Sequence, residues 1–313
     1  MELVRGIHNL RDRHHGCVLT IGNFDGVHLG HAAVIEHVVA MAKQHQVPAT
    51  VMLFEPQPLE FFAGDRAPAR LSTLRDKLKR LSELGVERVL CVRFCDKFAN
   101  YQASDFVEQL LVTQLGVKHL VVGDDFRFGQ GRSGNFETLV AAGQQHGFGV
   151  QDTASCLLNQ ARISSTLIRQ ALAAGQLDEA KRMLGYGYAI SGRVAHGDKL
   201  GRTINFPTAN VALKRRVNPI SGVFAVRVQF ADGRQFDGVA NVGKRPTVAG
   251  QECRLEVHIF DFAADIYGQQ LQVELRDYLR PEQRFESFAA LKQQISADAK
   301  AARERLADAS ISL

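Results

Sequence analysis

Short, wholly apolar runs recur along the first half of the chain, separated by stretches whose apolar residues return every three or four positions. "CVLTI" (17–21), "ATVMLF" (49–54), "RVLCVRF" (88–94) and "HLVVG" (119–123) are the runs, and they predict strands buried on both faces. The stretches at about 29–45, 72–84 and 103–115 predict the helices between them. Strand and helix in alternation imply an α/β domain, a doubly wound, Rossmann-like parallel sheet that places ligands at the carboxyl ends of its strands.

The rhythm then changes. "YAISGRVAHG", "GVFAVRVQF", "GRQFDGVANVG", "CRLEVHIFDF" and "QQLQVELRDYL" alternate apolar and polar residues with little helix between them. The Asp-Gly step at Asp232-Gly233 predicts a hairpin. Five or six such strands predict a small antiparallel β-barrel. The tail from about 285 to 306 repeats Phe285, Phe288, Leu291, Ile295, Ala299 and Ala302 at helical spacing, which predicts one amphipathic helix packed on that barrel. The switch of period near "LGYGYAISG" (184–192) sets the expected domains at 1–184 and 185–313.

Composition leaves this picture standing and removes some function classes. A chain of 313 residues, 45% hydrophobic and 23% charged, is long enough for two cores. Neither an apolar signal core nor a membrane-length apolar run is visible, which points to the cytoplasm and away from a membrane. Cys17, Cys91, Cys95, Cys156 and Cys253 lack paired metal-ligand spacing and read as reduced packing residues. The formal charge of +5 suits a phosphorylated ligand but forms no nucleic-acid stripe, and there is no tryptophan.

Candidate chemistry in the first half starts at "GNFDGVHLGH" (22–31). Gly22 and Gly26 permit a tight strand-to-helix turn with close backbone approach to a ligand. His28 and His31 share one face of the helix's first turn, where free N–H groups and the dipole already favour phosphate. They could bind a metal, fill a core or grip an anion. Asp25 is the sole nearby carboxylate, which weakens the metal reading. "VVGDDFRFGQGRSGN" (121–135) is a second glycine-rich strand end, and "RISSTLIR" (162–169) sets hydroxyls between Arg162 and Arg169. Ser164 or Ser165 taken singly reads best as a helix cap; together with the arginines they suit a triphosphate.

In the second half, "GRVAHGDKLGRTINFPTANV" (192–211) carries glycines and basic residues but not the P-loop spacing. "FPTAN" offers two neutral oxygens, on Thr208 and Asn210, suited to Mg²⁺ or simply to capping a turn. Alternation places Glu256, His258, Phe260 and Phe262 on one strand face, opposite Leu255, Val257 and Ile259. A carboxylate beside aromatics suits a general base, and an exposed strand glutamate is the plainer alternative.

Four segments in order, "GNFDGVHLGH", "FEPQP", "GDDFRFG" and "ISSTLIR", resemble the adenylyltransferase module of prokaryotic bifunctional riboflavin kinase/FAD synthetases. "HGDKLGRTINFPTAN", "GVFAV", "GVANVGKRPTV" and "LEVHIFDFAADIYG" resemble the riboflavin kinase module of the same family. The resemblance implies that ATP phosphorylates riboflavin to FMN in the C-terminal barrel, and that a second ATP adenylylates FMN to FAD in the N-terminal domain. It places Gly22, Phe24, Asp25 and Gly26 in an ATP-binding turn, with His28 and His31 stabilising the phosphates. Ser164, Ser165, Thr166 and Arg169 would hold the leaving pyrophosphate. Phe62, Phe106 and Phe128 would pack the flavin ring, with Pro56 and Pro58 shaping its pocket and Asp125 nearby, where many relatives carry Asn. In the kinase half, Thr208 and Asn210 would hold Mg²⁺ and phosphates, and Glu256 would activate the ribityl hydroxyl. Gly197, Lys199, Gly201 and Arg202 would lie in or beside a loop over ATP, with Asn205 where many relatives have Gly. Two other readings are a different HxGH-type adenylyltransferase, of the nicotinate or pantetheine kind, and a nucleic-acid-binding protein. The "PTAN" half argues against the first, and the missing basic groove against the second.

Overall fold

Each strand of the first half sends alternate residues to opposite faces of one sheet, and both faces are covered. The computed structural model describes residues 1–123, 125–152, 157–158, 161–195, 206–213, 217–247 and 250–311. By its contacts the chain divides into two compact units, residues 1–68 with 74–163, and residues 69–73 with 164–313.

In the first unit the strands are β1 (Glu2–Arg5), β2 (Cys17–Ile21), β3 (Ala49–Glu55), β4 (Arg88–Arg93), β5 (Val117–Val122) and β6 (Gly149–Asp152). They form a parallel sheet in the order β1-β4-β3-β2-β5-β6. The helices are α1 (Leu29–His45), α2 (Pro58–Ala63), α3 (Leu74–Glu83), α4 (Asp96–Ala99), α5 (Ala103–Asp105) and α6 (Phe136–His146). A small hairpin of β7 (Leu157–Leu158) and β8 (Ala161–Arg162) follows. One face of the sheet packs Leu19, Met52, Leu90 and Leu120 with Leu110, Leu111 and Leu139. On the other, Val51, Leu53 and Val89 meet Ile35 and Leu81, and Val18 and Val121 meet Val38. Burial on both sides is why these strands read as continuous apolar runs. The expected strands and α1 are all present. The predicted helix at 103–115 is α5 continued by a π-helical stretch over Phe106–Gln114.

Edge strands β1 and β6 and helix α6 were not expected from the sequence. β1 and β6 are four residues each and keep exposed positions, so their pattern is too short to register as a period. The sheet's chain order reverses at β2, whose neighbours are β3 on one side and β5 on the other. In sheets of this kind ligands bind beyond the carboxyl ends of the strands at such a switch point, and "GNFDGVHLGH" and "GDDFRFG" begin there, after β2 and β5.

The second unit starts with α7 (Ser165–Ala173) and α8 (Leu177–Leu184). It continues with β9 (Ala189–Ala195), β10 (Ala209–Ala212), β11 (Gly222–Phe230), β12 (Gln235–Thr247), β13 (Gly250–Ile259) and β14 (Gln270–Arg280), and closes with α9 (Phe288–Ile311). The strands form a closed antiparallel barrel in the order β10-β13-β12-β11-β14-β9. The Asp-Gly hairpin joins β11 to β12: Phe230 N–H donates to the Arg234 carbonyl at 2.9 Å, and Gly233 takes φ +90°.

Closure decides which face of each strand is inside. Phe224, Val226 and Val228 of β11, Val242 of β12, and Leu255 and Val257 of β13 are fully buried, and their alternation with the outer residues turns them into the barrel. The opposite face of β11 and β12 presents Val223, Ala225 and Val239 to Ala299, Ala302 and Leu306 of α9, with Phe260 beside them. Asp298 of α9 takes a forked pair from Arg280, with Nη2–Oδ2 at 2.7 Å and Nε–Oδ1 at 2.9 Å. The helix starts later than the tail's periodicity suggests, because Ser287 Oγ accepts the Ala290 N–H at 3.2 Å and caps it. Phe288, expected on the packed face, is 58% exposed: it sits in the first turn, before the helix reaches the barrel residues. Phe260 keeps the outer side with Glu256 and His258, whereas Phe262 leaves it: β13 ends at Ile259, Asp261 takes φ +54°, and Phe262 lines a cavity with Val257 and Ile259 and stacks on Phe230 at 5.4 Å.

Candidate functional site

The turn after β2 is the most constrained piece of backbone in the first unit. Phe24, at φ 46°, and Val27, at φ 38°, both occupy the left-handed region that bulky side chains avoid. Both side chains are buried, and that packing holds a conformation the residues would not choose alone. Strain of this kind persists where a ligand needs the backbone close. His28 is the N-cap of α1: its Nδ1 accepts the His31 N–H at 3.3 Å, so its ring proton is on Nε2. The His28 and His31 rings stack at 3.6 Å between centroids with planes 17° apart, and Phe24 lies 5.0 Å from His31. Burial holds His31 well below the ordinary imidazole pKa of 6.5, reinforced by the charges of His28 and Lys77. His31 is therefore held neutral, and His28 presents its Nε2–H as a donor. His31 Nδ1 and Asn23 Oδ1 are buried without a hydrogen-bond partner, so the turn has polar capacity that a ligand would satisfy.

Lys77 was missed in the sequence. It is fully buried on α3, and its ammonium donates to the Asn23 carbonyl at the head of the turn. The signal existed: Leu74, Lys77, Leu78 and Leu81 fall at helical spacing, and Lys77 takes a core position in that stripe. A lysine there places a hydrogen-bond donor at the head of the turn, where packing alone would favour an apolar side chain. Lys77→Met is expected to raise the His31 pKa, because the cation that opposes imidazole protonation is gone. A histidine Cε1–H NMR titration reads this, and an unmoved His31 would refute the coupling.

The other proposed residues of this unit fall along an array of aromatic rings. Phe62, on α2, is 68% exposed, whereas Phe106 and Phe128 are buried with centroids 5.0 Å apart. Phe94 and Phe98 link them: Phe62–Phe94 is 5.6 Å, Phe94–Phe98 is 5.8 Å and Phe98–Phe106 is 6.5 Å. These linking rings were not singled out in the sequence. Pro56 follows β3 through a cis peptide, and Pro58 opens α2 behind its N-cap Gln57. Asp125 is exposed after the end of β5, and Phe126 stacks on Phe128 at 5.8 Å.

In the second unit, Ser164 caps α7, its Oγ accepting the Leu167 N–H at 3.3 Å. Ser165 and the exposed Thr166 form the first turn, and Arg169 Nε donates to the Ala69 carbonyl at 2.6 Å. Cys156, the side chain of Arg162, and Gly197, Lys199, Gly201, Arg202 and Asn205 lie outside the described residues.

The barrel brings together two residues that are 46 positions apart in sequence: Asn210 on β10 is directly opposite Glu256 on β13. Directly opposed residues share a face, with Cβ atoms about 4.5–5.5 Å apart. Since Leu255 and Val257 point inward, Glu256 and Asn210 point outward, which periodicity alone left open. His258, two residues on, shares that face and holds the segment before β10. Its Nδ1–H donates to the Pro207 carbonyl at 2.9 Å, and its ring lies 4.9 Å from Phe206. Thr208 lines a cavity of about 550 Å³ with Val194, Val257, Ile259, Phe262 and Tyr267. That volume is in the range of small-ligand sites. Among the described residues no cluster of three His, Cys, Asp or Glu side chains could hold a metal.

Residues 10–167 match the family model of FAD synthetase, and residues 184–306 match that of riboflavin kinase. The chain belongs to the bifunctional riboflavin kinase/FMN adenylyltransferase family. The Escherichia coli K12 member of that description is 55% identical over 305 residues, 97% of each chain. The Haemophilus influenzae Rd member is 52% identical over 303 residues, 97% of this chain and 98% of that one. A solved structure described as a macrolide-efflux protein from Streptococcus pneumoniae superposes with a TM-score of 0.81 at 31% identity, covering 97% of this chain and 99% of that one. Its description concerns that protein; in this chain no helix among the described residues is long and apolar enough to cross a membrane.

Proposed function

We propose that the family's two activities are divided between residues 185–313 and residues 1–184. The barrel transfers the γ-phosphoryl group of ATP to the terminal ribityl hydroxyl of riboflavin, giving FMN and ADP. The parallel-sheet domain transfers AMP from a second ATP to the FMN phosphate, giving FAD and pyrophosphate. The observation that carries the reading is the pairing of Asn210 with Glu256 on one outward barrel face, within the part that matches riboflavin kinase.

In the kinase step Glu256 takes the proton of the attacking hydroxyl, and His258 positions "FPTAN" by holding the Pro207 carbonyl. Thr208 and Asn210 supply neutral oxygens, hard donors of the kind Mg²⁺ accepts beside phosphate and water. Bound Mg²⁺ would neutralise phosphate charge there. Gly197, Lys199, Gly201 and Arg202 are assigned to ATP by motif. In the adenylyl step, Gly22, Phe24, Asp25 and Gly26 form the ATP turn, and His28 and His31 donate to phosphate oxygens as charge develops. Ser164, Ser165, Thr166 and Arg169 are assigned by motif to the departing pyrophosphate. Phe62, Phe106 and Phe128, with Pro56, Pro58 and Asp125, are assigned to the flavin.

Chromatography of flavin products tests the whole. Riboflavin with MgATP should yield FMN and then FAD, and chelation of the metal should stop both steps. Failure to form FMN from riboflavin, or FAD from supplied FMN, would reject the corresponding half.

A further inference from the structure

Register extends the outward row of the barrel by one more polar residue. Asn210 on β10 faces Glu256 on β13, and Glu256 faces Asn241 on β12. Beyond Asn241 the row continues to Val223 on β11, under α9. Glu256 is therefore flanked by an amide on each side, and only one of them belongs to the "PTAN" segment.

The Asn241 amide is oriented by its surroundings. Its Nδ2 donates to Glu282 Oε1 at 3.4 Å. A carboxylate can only accept, so the NH₂ end must face Glu282 and the carbonyl end must face away from it. Gly243, two residues along the same strand face, makes room for this: a Cβ there would come within 1.9 Å of Glu282 Oε1. The amide oxygen that remains, Oδ1, is buried and has no hydrogen-bond partner. A buried acceptor without a donor is costly, and a fixed one beside a proposed general base is suited to a hydroxyl brought by substrate.

We propose that Asn241 is a substrate-orienting residue of the kinase reaction. Its Oδ1 accepts a hydrogen bond from the ribityl hydroxyl next to the one that Glu256 deprotonates. Riboflavin carries vicinal hydroxyls along this chain, so adjacent side chains on one strand row can meet adjacent hydroxyls. Holding the penultimate hydroxyl fixes the rotation of the terminal one toward Glu256 and the phosphoryl donor. A flavin without that hydroxyl would leave Oδ1 unpaired, which gives the site a preference for polyol substrates.

The inference rests on Glu256 as the base, and the test separates the two. Riboflavin and 4′-deoxyriboflavin are compared as substrates of the full chain, as wild type and as Asn241→Leu. Wild type is expected to lose about tenfold in kcat/KM on the deoxy flavin, the usual scale for one hydrogen bond. Asn241→Leu is expected to show that loss already on riboflavin and to treat the two flavins within about twofold, with the KM for ATP and FAD synthesis from FMN unchanged. A variant that keeps the wild-type preference, or a wild type with no preference, overturns the proposal. Should Asn241→Leu not fold, Asn241→Ala carries the same comparison. If Glu256 is not the base, Glu256→Gln stays active while the flavin preference persists, so the two failures look different.

Discussion

Glu256→Gln is expected to lower FMN formation from riboflavin by about 10²–10⁴-fold, the range that positioned general bases contribute. Glutamine keeps the shape and the strand register with Asn210 and Asn241 but cannot accept the proton of the attacking hydroxyl. The residue is half-buried on an outward strand face, so the change costs little in folding. FAD synthesis from supplied FMN should be nearly intact, because that reaction is proposed to use none of the barrel's groups. Product chromatography with each flavin gives both numbers from one preparation. Loss of both activities together would defeat the separation of the two reactions.

Replacing both His28 and His31 by alanine should give the complementary result, with FMN accumulating from riboflavin and almost no FAD. Donors aimed at developing negative charge are commonly worth about 10²–10³-fold each. Alanine at 28 also removes the Nδ1 cap on the His31 N–H, which costs about 0.5–2 kcal/mol of local stability. His28→Asn, which keeps a capping acceptor but not the ring donor, therefore separates catalysis from capping. The pH response differs as well. His31 is held below 6.5 in the folded chain, so unfolding takes up a proton as pH falls past that value, and the wild type loses stability there. His31→Ala should flatten that part of the stability curve, measured by urea unfolding between pH 5 and pH 7.5.

The expected elements survive because their causes are local. "CVLTI" is a strand in any context that buries both its faces, and the three- and four-residue spacing over 29–45 is α1 from Leu29 to His45. The motif glycines and histidines were legible for the same reason, since a turn and the helix it starts lie within ten residues. β1 and β6 were not legible. They gain their order from pairing with β4 and β5, strands far away in sequence.

The chain's residues by themselves thus determined a parallel-sheet domain followed by a small barrel, and the four-part motif set that names the family. These follow from periodicity and from neighbours along the chain. Only the tertiary structure decided that Glu256 faces outward, that Asn210 and Asn241 flank it, and that Lys77 lies buried at the head of the histidine turn. Inside and outside are set by barrel closure, and cross-strand neighbours by register. Both are relations between segments that period-2 alternation within a single strand cannot encode.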